Sequence, residues 1–388
     1  MPEAHETITT DVTLPAAAPA AASPTRRRIL FGLKEHTPES LKVIFRLSDF
    51  EACGWYRGMQ PANAINTLFP ARVNQTCSSY LCQADIDKTS AEYVKWDVIV
   101  HQRQHYKNGL AKAREIEDVS GSVQVYETDD DITKIHPSSS SYSKFPREVQ
   151  RQTFEFISEM DYMTTTTEPL KKFYSKWHKD ITVIPNAVDM DIIKSLDPGP
   201  RPGGEIVIGW AGGGTHYIDL QVVIPVIKDL MQKYKNLVFQ AGGWINCPLL
   251  ADLPAAQLRL IPWEHDMQEY YKSLKRVDIG IAPLADTEFN MAKSNLRYLE
   301  FSACGVPVVA SDVYPYANSI KHGTSGLIVK ASGATYKHWY RALETMINDA
   351  GLRQKLAQCA QQYVNAKFNQ KDVAEKWVKF YERVCGRK

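Results

Sequence analysis

The sequence predicts an α/β protein made of two Rossmann-like domains that face each other across a cleft. Its 388 residues suffice for about two domains of ordinary size. Short apolar runs alternate with amphipathic stretches along the chain, which is the pattern of parallel sheets covered by helices. The run Asp-Pro-Gly-Pro-Arg-Pro-Gly-Gly at 197–204 can continue neither a helix nor a strand, and we expect it to link the two domains.

The chain begins with a tail, residues 1–27, that is rich in Ala, Pro and Thr, a composition typical of disordered segments. Residues 28–196 form the predicted N-terminal domain, with a helix just before Asp161. Apolar runs in this domain indicate three strands, at 42–46, 97–100 and 123–127. A fourth strand, together with the residues that leave the sheet, is expected at 181–186.

The same pattern restarts after the linker, in the predicted C-terminal domain of residues 205–371. Helices are expected at 219–235 and at about 295–304, and a further helical stretch, 372–384, lies in the C-terminal segment 372–388. The apolar runs that predict strands lie at 205–210, 237–242, 258–261, 277–282 and 306–310. Two successive α/β halves favour a ligand cleft between them.

The composition argues against several classes of function. Lys and Arg total 46 against 44 for Asp and Glu, so the net charge of +2 gives no general signature of nucleic-acid binding. The seven cysteines contain no CxxC pair, which favours reduced thiols in a cytoplasmic protein and indicates no zinc site. No stretch approaches the roughly 18 apolar residues of a membrane span.

The most informative stretch is 293–311, Lys-Ser-Asn-Leu-Arg-Tyr-Leu-Glu-Phe-Ser-Ala-Cys-Gly-Val-Pro-Val-Val-Ala-Ser. We expect Ser294 to cap a helix that begins at about Asn295, and Gly305 to end it in a left-handed conformation. The free amides of the first helical turn, beside Lys293, would then attract an anion such as phosphate.

Arg297 and Glu300 are three residues apart in this helix and therefore share one face. The cation is suited to a diphosphate, and the carboxylate can accept hydrogen bonds from sugar hydroxyls. The alternative is an exposed helical ion pair worth only about 0.3–0.5 kcal/mol.

The stretch resembles the donor-binding signature of retaining GT-B glycosyltransferases of the large family-four group. In that resemblance Glu300 matches the carboxylate that holds the donor ribose. The common pattern has a second Glu, which would fall on Ala292, whereas Lys293 and Ser294 form the loop here. The passages 161–170 and 183–189 also resemble this family. The resemblance covers the chain from about residue 41 onward. It implies that the last helix of the chain crosses back to the first domain.

A glycine-rich turn follows the first strand of the second domain, where the family also has one. Its residues Gly212, Gly213, Gly214 and Thr215 can bring backbone amides and a hydroxyl close to a diphosphate. The Arg and Lys that many members carry after this turn are absent, so we expect Lys293 or Arg297 to supply the positive charge.

The N-terminal domain is expected to supply the acceptor side of the cleft. The run 53–61, Cys-Gly-Trp-Tyr-Arg-Gly-Met-Gln-Pro, resembles a family loop that would place Gly54 and Arg57 at the cleft, where Arg can clamp an anion. The alternative is a capping helix with a solvated Arg. Asp129 and Asp130 follow a strand, and we expect them to shape the cleft or contact acceptor hydroxyls.

Two further candidates, His101 and Arg103, follow the strand at 97–100. The resemblance implies that a histidine after such a strand lies at the catalytic site. A single histidine at a strand end is more often structural.

The resemblance implies transfer of a sugar from a nucleotide-diphosphate donor to an acceptor hydroxyl, with retained configuration, no metal and no cofactor. Two alternatives remain open: a nucleotide-sugar epimerase using Asp129, Asp130 or Glu288, and a non-catalytic sugar-nucleotide binding protein. The acceptor is a glycan, a lipid-linked sugar, a protein or a modified DNA base. For the last, a basic patch is available at Lys171, Lys172, Lys176 and Lys179. The sequence leaves the oligomeric state open.

Overall fold

The fold is described from a computed structural model of the chain. The described residues are 30–31, 39–78, 96–105, 109–139, 141–201, 203–333 and 335–387. The predicted tail at 1–27 and Cys82 lie outside them.

The first domain is built on a sheet that has seven strands among the described residues, in the order β1-β3-β2-β4-β5-β6-β7. Neighbouring strands are parallel except for the short edge strand β1, which runs antiparallel to β3. The strands are β1 (Leu30–Phe31), β2 (Leu41–Arg46), β3 (Val73–Ser78), β4 (Val98–Gln102), β5 (Val123–Thr128), β6 (Tyr162–Thr165) and β7 (Ile181–Val183).

The second domain has a sheet of six described strands, all parallel, in the order β10-β9-β8-β11-β12-β13. The predicted linker, 197–204, falls between the last strand of the first sheet and the first strand of the second. The strands are β8 (Ile206–Gly212), β9 (Leu237–Gly243), β10 (Leu258–Pro262), β11 (Ile279–Ala282), β12 (Val308–Ser311) and β13 (Leu327–Val329).

Helices cover both sheets. In the first domain the described helices are α1 (Ala52–Gly54), α2 (Gln60–Leu68), α3 (Gly109–Ser120), α4 (Arg147–Glu159), α5 (Glu168–Tyr174) and α6 (Met190–Ser195). Those that follow in the chain are α7 (Tyr217–Gln221), α8 (Ile224–Lys233), α9 (Met267–Leu274), α10 (Glu288–Ala292), α11 (Leu296–Ala303), α12 (Tyr314–Ala317), α13 (Thr335–Asn348), α14 (Ala350–Lys367) and α15 (Gln370–Val384). A π-helical turn, Trp55–Met59, joins α1 to α2.

The last helix, α15, packs on the first domain. Trp377 and Tyr381 of α15 are fully buried in the same hydrophobic core as Phe45 of β2, and the rings of Phe45 and Trp377 lie 5.8 Å apart. The expectation that the C-terminal helix crosses back to the first domain is therefore confirmed. Together the two sheets confirm the predicted α/β class with two Rossmann-like domains.

Two sequence expectations need correction. The single helix expected at 219–235 is two helices, α7 and α8, because Pro225 lacks the amide hydrogen needed to continue a helix. Strand β3 was not predicted because its sequence, Val-Asn-Gln-Thr-Cys-Ser, is mostly polar although every residue is buried. Gln75 in this strand is held by Asn66 and Tyr381.

No described helix is both long enough and apolar enough to cross a membrane.

Candidate active site

A cleft with two adjoining lobes lies between the domains, at the carboxyl ends of the parallel strands. One lobe is largely apolar, and its residues include Tyr56, Ile261, Pro262, Trp263, Met267, Tyr270 and Glu300. The other, the charged lobe, has the more polar surface, and its residues include Asp129, Asp130, Asn186, Lys293, Ser294, Arg297 and Tyr316. Both lobes are lined by Cys53, Ala211, His216, Leu296 and Arg297.

Glu300 lies in the wall of the apolar lobe and is only 2% exposed. Arg297 Nη1 donates to its Oε2 at 2.5 Å, and the Tyr56 hydroxyl donates to its Oε1 at 2.7 Å. Tyr56 belongs to the first domain, so this carboxylate connects the two walls of the cleft. Each carboxylate oxygen can accept a second hydrogen bond, which leaves capacity for a ligand hydroxyl.

Tyrosines complete this network. The hydroxyls of Tyr56 and Tyr271 lie 2.8 Å apart, and because Tyr56 gives its proton to Glu300, Tyr271 must donate to Tyr56. Arg297 also donates to the hydroxyl of Tyr270. Burial, followed by the charge of Glu300, raises the pKa of Tyr56 well above its usual value. These hydroxyls therefore remain neutral donors at physiological pH.

The start of α11 differs from the expectation. Asn295, not Ser294, is the residue before the first turn, and neither side chain caps the helix. Ser294 instead accepts a hydrogen bond from Asn186 Nδ2 at 3.0 Å across the domain boundary, while Asn295 donates to Ser319. Ser294 lines the charged lobe, and Asn295 does not contribute to either lobe. The predicted left-handed stop at Gly305, with φ of 75°, is confirmed.

Lys293 lines the charged lobe, and its side chain is only 17% exposed. Its Nζ lies 3.8 Å from Asp130 Oδ1 of the opposite wall and 4.4 Å from the ring centre of Phe289. A solvated lysine before a helix would have neither contact. The ammonium is therefore held at the cleft by one carboxylate and one aromatic face.

The glycine-rich turn contributes part of the cleft wall. Gly212 and Gly213 line the apolar lobe, whereas Gly214 and Thr215 line neither lobe. His216, next in the chain, lines both. Its Nδ1 lies 2.7 Å from Oδ2 of Asp219, a carboxylate that is 1% exposed.

On the first-domain wall, Arg103 neutralises the two predicted carboxylates. Its guanidinium lies 3.4 Å from Asp129 Oδ1 and 3.6 Å from Asp130 Oδ2, and it donates to Cys53 Sγ at 2.9 Å. Arg103 adopts φ of 48°, a left-handed conformation that few residues other than glycine tolerate. The charged lobe is lined by Asp129, Asp130 and Cys53. Arg103 does not line it but contacts all three of these residues.

Arg57 does not clamp a ligand at the cleft, and the solvated alternative is wrong as well. It is fully buried: Nε donates to Glu127 Oε1 at 2.7 Å and Nη1 donates to the carbonyl of Ile184 at 2.8 Å. Its guanidinium also lies 5.2 Å from the ring centre of Trp377. Arg57 reaches the cleft only indirectly, because Nη1 also donates to Asn186 Oδ1 at 3.2 Å.

Gly54 is also a packing residue rather than a cleft residue. A Cβ at this position would lie 1.9 Å from the carbonyl oxygen of Asp49, so only glycine fits. Asp49 Oδ1 in turn accepts the Gly54 amide at 3.0 Å. The glycine thereby allows the helical segment that carries Cys53 and Tyr56 to approach the cleft.

His101 lies inside the first sheet with no exposed surface, and it lines neither lobe. Its two ring nitrogens are 2.7 Å from Arg46 Nη1 and 2.7 Å from Gln124 Oε1. Burial, with a further contribution from Arg46, lowers the pKa of His101 well below its usual value. The structure therefore places His101 in the core as a neutral residue, away from both lobes of the cleft.

Several cleft residues were not assigned from the sequence. Tyr56 belongs to the loop at 53–61 without a predicted role, Trp263 and Tyr270 lie outside any motif, and His216 follows the glycine-rich turn without a predicted role. The three-residue spacing of His216 and Asp219 was the one available signal, since residues at that spacing share a helix face.

The described residues contain no cluster of three or more His, Cys, Asp or Glu side chains arranged to hold a metal ion. Asp131, next to Asp130 in the chain, lines neither lobe, and its Oδ1 accepts the amide of Thr133 at 2.9 Å and the Thr133 hydroxyl at 2.6 Å. Glu288, the third acid considered for an epimerase, lines neither lobe and pairs with Lys134.

Two Rossmann-like domains with a cleft at the carboxyl ends of their strands define the GT-B class of fold. Comparison with solved structures supports this class. Sucrose-phosphate synthase from Thermosynechococcus elongatus is 12% identical, with a TM-score of 0.63 over 89% of this chain and 99% of that one. Anabaena HepE in complex with UDP-glucose is 11% identical, with a TM-score of 0.63 over 88% and 100% of the two chains.

Sequence comparison finds similarity to glycosyltransferases over part of the chain. Residues 252–363 match the family model described as glycosyl transferases group 1. D-inositol 3-phosphate glycosyltransferase from Stackebrandtia nassauensis is 24% identical over 231 residues, which cover 52% of this chain and 50% of that protein. The match thus spans about half the length of this curated relative. The second domain is therefore similar to glycosyl transferases of group 1, and the chain as a whole has the GT-B fold.

Proposed function

We propose that the protein transfers a sugar from a nucleotide-diphosphate donor to a hydroxyl group of an acceptor. The observation that carries this proposal is the arrangement of the cleft. An apolar lobe with exposed aromatic surface at Trp263 adjoins a lobe with two cations. Arg297 lies where the lobes meet, and Glu300 lines the apolar lobe one helical turn further along. A nucleotide sugar has the same sequence of parts: a flat base, a ribose, a diphosphate and a sugar.

The donor is proposed to bind with its base in the apolar lobe and its ribose hydroxyls at Glu300. The diphosphate then lies against Arg297 and Lys293, and the sugar extends toward Asp129 and Asp130. In this arrangement the two cations stabilise the charge that develops on the leaving diphosphate. Closure of the two domains excludes water that would otherwise compete with the acceptor.

Retention of configuration and independence from metal are part of the proposal. They are supported by the family resemblance and by the two cations at the charged lobe, which offer the leaving group neutralisation from the protein itself. A cytoplasmic location, inferred from the cysteine pattern, stays a prediction. The acceptor remains one of the four classes named above.

A donor screen tests the proposal. The full chain is incubated with UDP-, ADP-, GDP- and dTDP-sugars and mixed acceptors, released nucleoside diphosphate is measured, and the acceptors are analysed by mass. One donor class should release diphosphate and add one sugar mass to an acceptor. Release by no donor would contradict the proposal.

The same screen separates the alternatives. An epimerase changes the sugar without an acceptor, so each donor is also incubated alone and its sugar analysed. Conversion under those conditions would favour the epimerase, and binding without either reaction would favour a binding protein.

A further inference from the structure

His216 occupies the junction of the two lobes and has a buried carboxylate directly behind it. Asp219 Oδ2 lies 2.7 Å from His216 Nδ1, while Oδ1 accepts the Ala285 amide and Asn290 Nδ2, both at 2.7 Å. The carboxylate is therefore fixed by two donors on one oxygen and can orient the imidazole with the other. A surface histidine without a role would not need such support.

The second ring nitrogen of His216 is available to a ligand. Because an ionised carboxylate only accepts hydrogen bonds, Nδ1 must carry the proton in the neutral ring, and Nε2 carries a lone pair. No described residue makes a hydrogen bond to Nε2, and the ring lines both lobes of the cleft. A phosphate oxygen at this point would need a donor, so Nε2 would have to gain a proton.

Burial is the main factor that opposes protonation of His216 in the free protein. Burial lowers the pKa of His216, Asp219 works against that fall, and Lys293 and Arg297 add to it. The other ionisable groups lining the same two lobes are Glu51, Asp129, Asp130, Glu264, His265 and Glu300, together with Cys53 and the tyrosines Tyr56, Tyr270 and Tyr316. A bound diphosphate would reverse the balance by placing negative charge beside the two cations.

We propose that His216 takes up one proton from solvent when a nucleotide-diphosphate sugar binds, and that the resulting Nε2–H donates to a diphosphate oxygen. Asp219 is the positioning residue that stabilises the imidazolium. His216 thus provides the cation that the glycine-rich turn otherwise lacks, in addition to Lys293 and Arg297. This inference rests on the proposed function, and it adds to it a linkage between donor binding and protonation.

The linkage has a defined direction with pH. The pKa of His216 is higher in the complex than in the free protein, so its contribution to affinity is complete below the free pKa and is lost as pH rises through the pKa of the complex. Donor affinity should therefore fall as pH rises from 6 to 8.5, by up to about tenfold per pH unit between the two pKa values.

Calorimetric titration with UDP-glucose measures the proton directly. The diphosphate of this donor is doubly esterified and does not titrate near neutrality, so proton uptake belongs to the protein. Titrations at pH 7 in buffers of different ionisation enthalpy should give an uptake approaching one proton. If UDP-glucose does not bind, the donor that binds from among the ADP-, GDP- and dTDP-sugars is used.

Variants assign the proton to His216. His216→Gln should abolish uptake and lower affinity about tenfold at pH 6.5, with little effect at pH 8.5. His216→Arg supplies a permanent charge and should restore part of the affinity without uptake. Asp219→Asn should reduce uptake, because the amide no longer stabilises an imidazolium. His322→Gln changes an exposed histidine outside the cleft and should keep full uptake.

The outcomes distinguish the two proposals. Binding without proton uptake, or uptake that persists in a folded His216→Gln variant, would overturn the role of His216 while leaving sugar transfer intact. Absence of binding by all of the nucleotide sugars would overturn the proposed function, and this inference with it. Thermal unfolding of each variant checks that the change is not a loss of structure.

Discussion

The two walls of the cleft use their charged residues differently. On the second-domain wall, Glu300, Arg297 and Lys293 all line the cleft, as the sequence predicted. On the first-domain wall, Asp129 and Asp130 do so, but Arg57 and His101 are fully buried in the interior. The contrast teaches that the same residue type can line the cleft on one wall and hold the interior together on the other.

Position within an element explains the difference. Asp129 follows the last residue of β5, and Arg297 belongs to the first turn of α11, so both meet the cleft where strands end and helices begin. Arg57 lies inside a π-helical turn, and His101 lies within β4. A polar side chain inside an element points into the packing unless its face is exposed, and it must then find partners there.

The largest expected effect is on stability, from Arg57→Met. Removing the cation leaves Glu127 buried without compensation, which should lower the free energy of unfolding by about 3–5 kcal/mol at pH 8. Burial raises the pKa of Glu127 to about 7, with Arg57 opposing the rise. At pH 5 the carboxyl is protonated, so the loss should be smaller. Denaturant unfolding at both pH values measures it.

The double variant Arg57→Met/Glu127→Gln is the matched control for this prediction. It removes both charges and should be more stable at pH 8 than Arg57→Met alone. If the Arg57→Met variant is as stable as the wild type but binds a substrate more weakly, Arg57 does not stabilise the interior. The expectation that Arg57 holds an anion at the cleft would then be favoured.

The next effect tests the opposite wall through Glu300→Gln. Loss of the charge weakens hydrogen bonds to the donor ribose, which contribute about 1.5–3 kcal/mol, so kcat/KM should fall tenfold or more. Glu269→Gln removes an exposed carboxylate on α9 that pairs with Lys272, and it should change kcat/KM less than threefold. Equal kinetics of wild type and a folded Glu300→Gln variant would remove Glu300 from the donor site.

A smaller and more selective effect is expected from Lys293→Ala. Because the ammonium acts on phosphate, the variant should lose turnover with the diphosphate donor while its affinity for the bare nucleoside changes little. Lys293→Arg should recover only part of the activity, since a planar guanidinium places the charge differently. Parallel binding of nucleoside and nucleoside diphosphate checks this, and an equal loss for both ligands would argue against a phosphate contact.

The smallest expected effect is that of chelation. If protein cations neutralise the leaving diphosphate, exhaustive treatment with EDTA should leave the transfer rate within experimental error of its starting value. A loss of activity that manganese or magnesium restores would contradict this prediction and would favour a metal ion held by Asp129 and Asp130.

Much of the fold follows from the sequence because buried parallel strands are continuous apolar runs with clear boundaries. Strand β3 escapes this rule, since Gln75 and its neighbours satisfy their polar groups through partners distant in the chain. The second-domain wall of the cleft was predictable because Lys293, Arg297 and Glu300 are close together in one motif. The pairing of Glu300 with Tyr56 is separated by 244 residues, and no local pattern could reveal it.

The same limit applies to Arg57 and His216. The partners of Arg57, Glu127 and Asn186, come from other elements, so its burial emerges only when the sheet and α15 are assembled. The His216–Asp219 pair is local, but its importance depends on Asn290, which fixes Asp219 from 71 residues away. Local sequence therefore indicates the candidates, and tertiary packing decides which of them face a ligand.

A crystal structure of the full chain with a bound nucleotide sugar tests the central claim most directly. The account predicts the ribose hydroxyls within hydrogen-bond distance of Glu300, the diphosphate between Arg297 and Lys293, and the base in the apolar lobe beside Trp263. A nucleotide bound in another groove, or a diphosphate held by the first-domain wall alone, would contradict it.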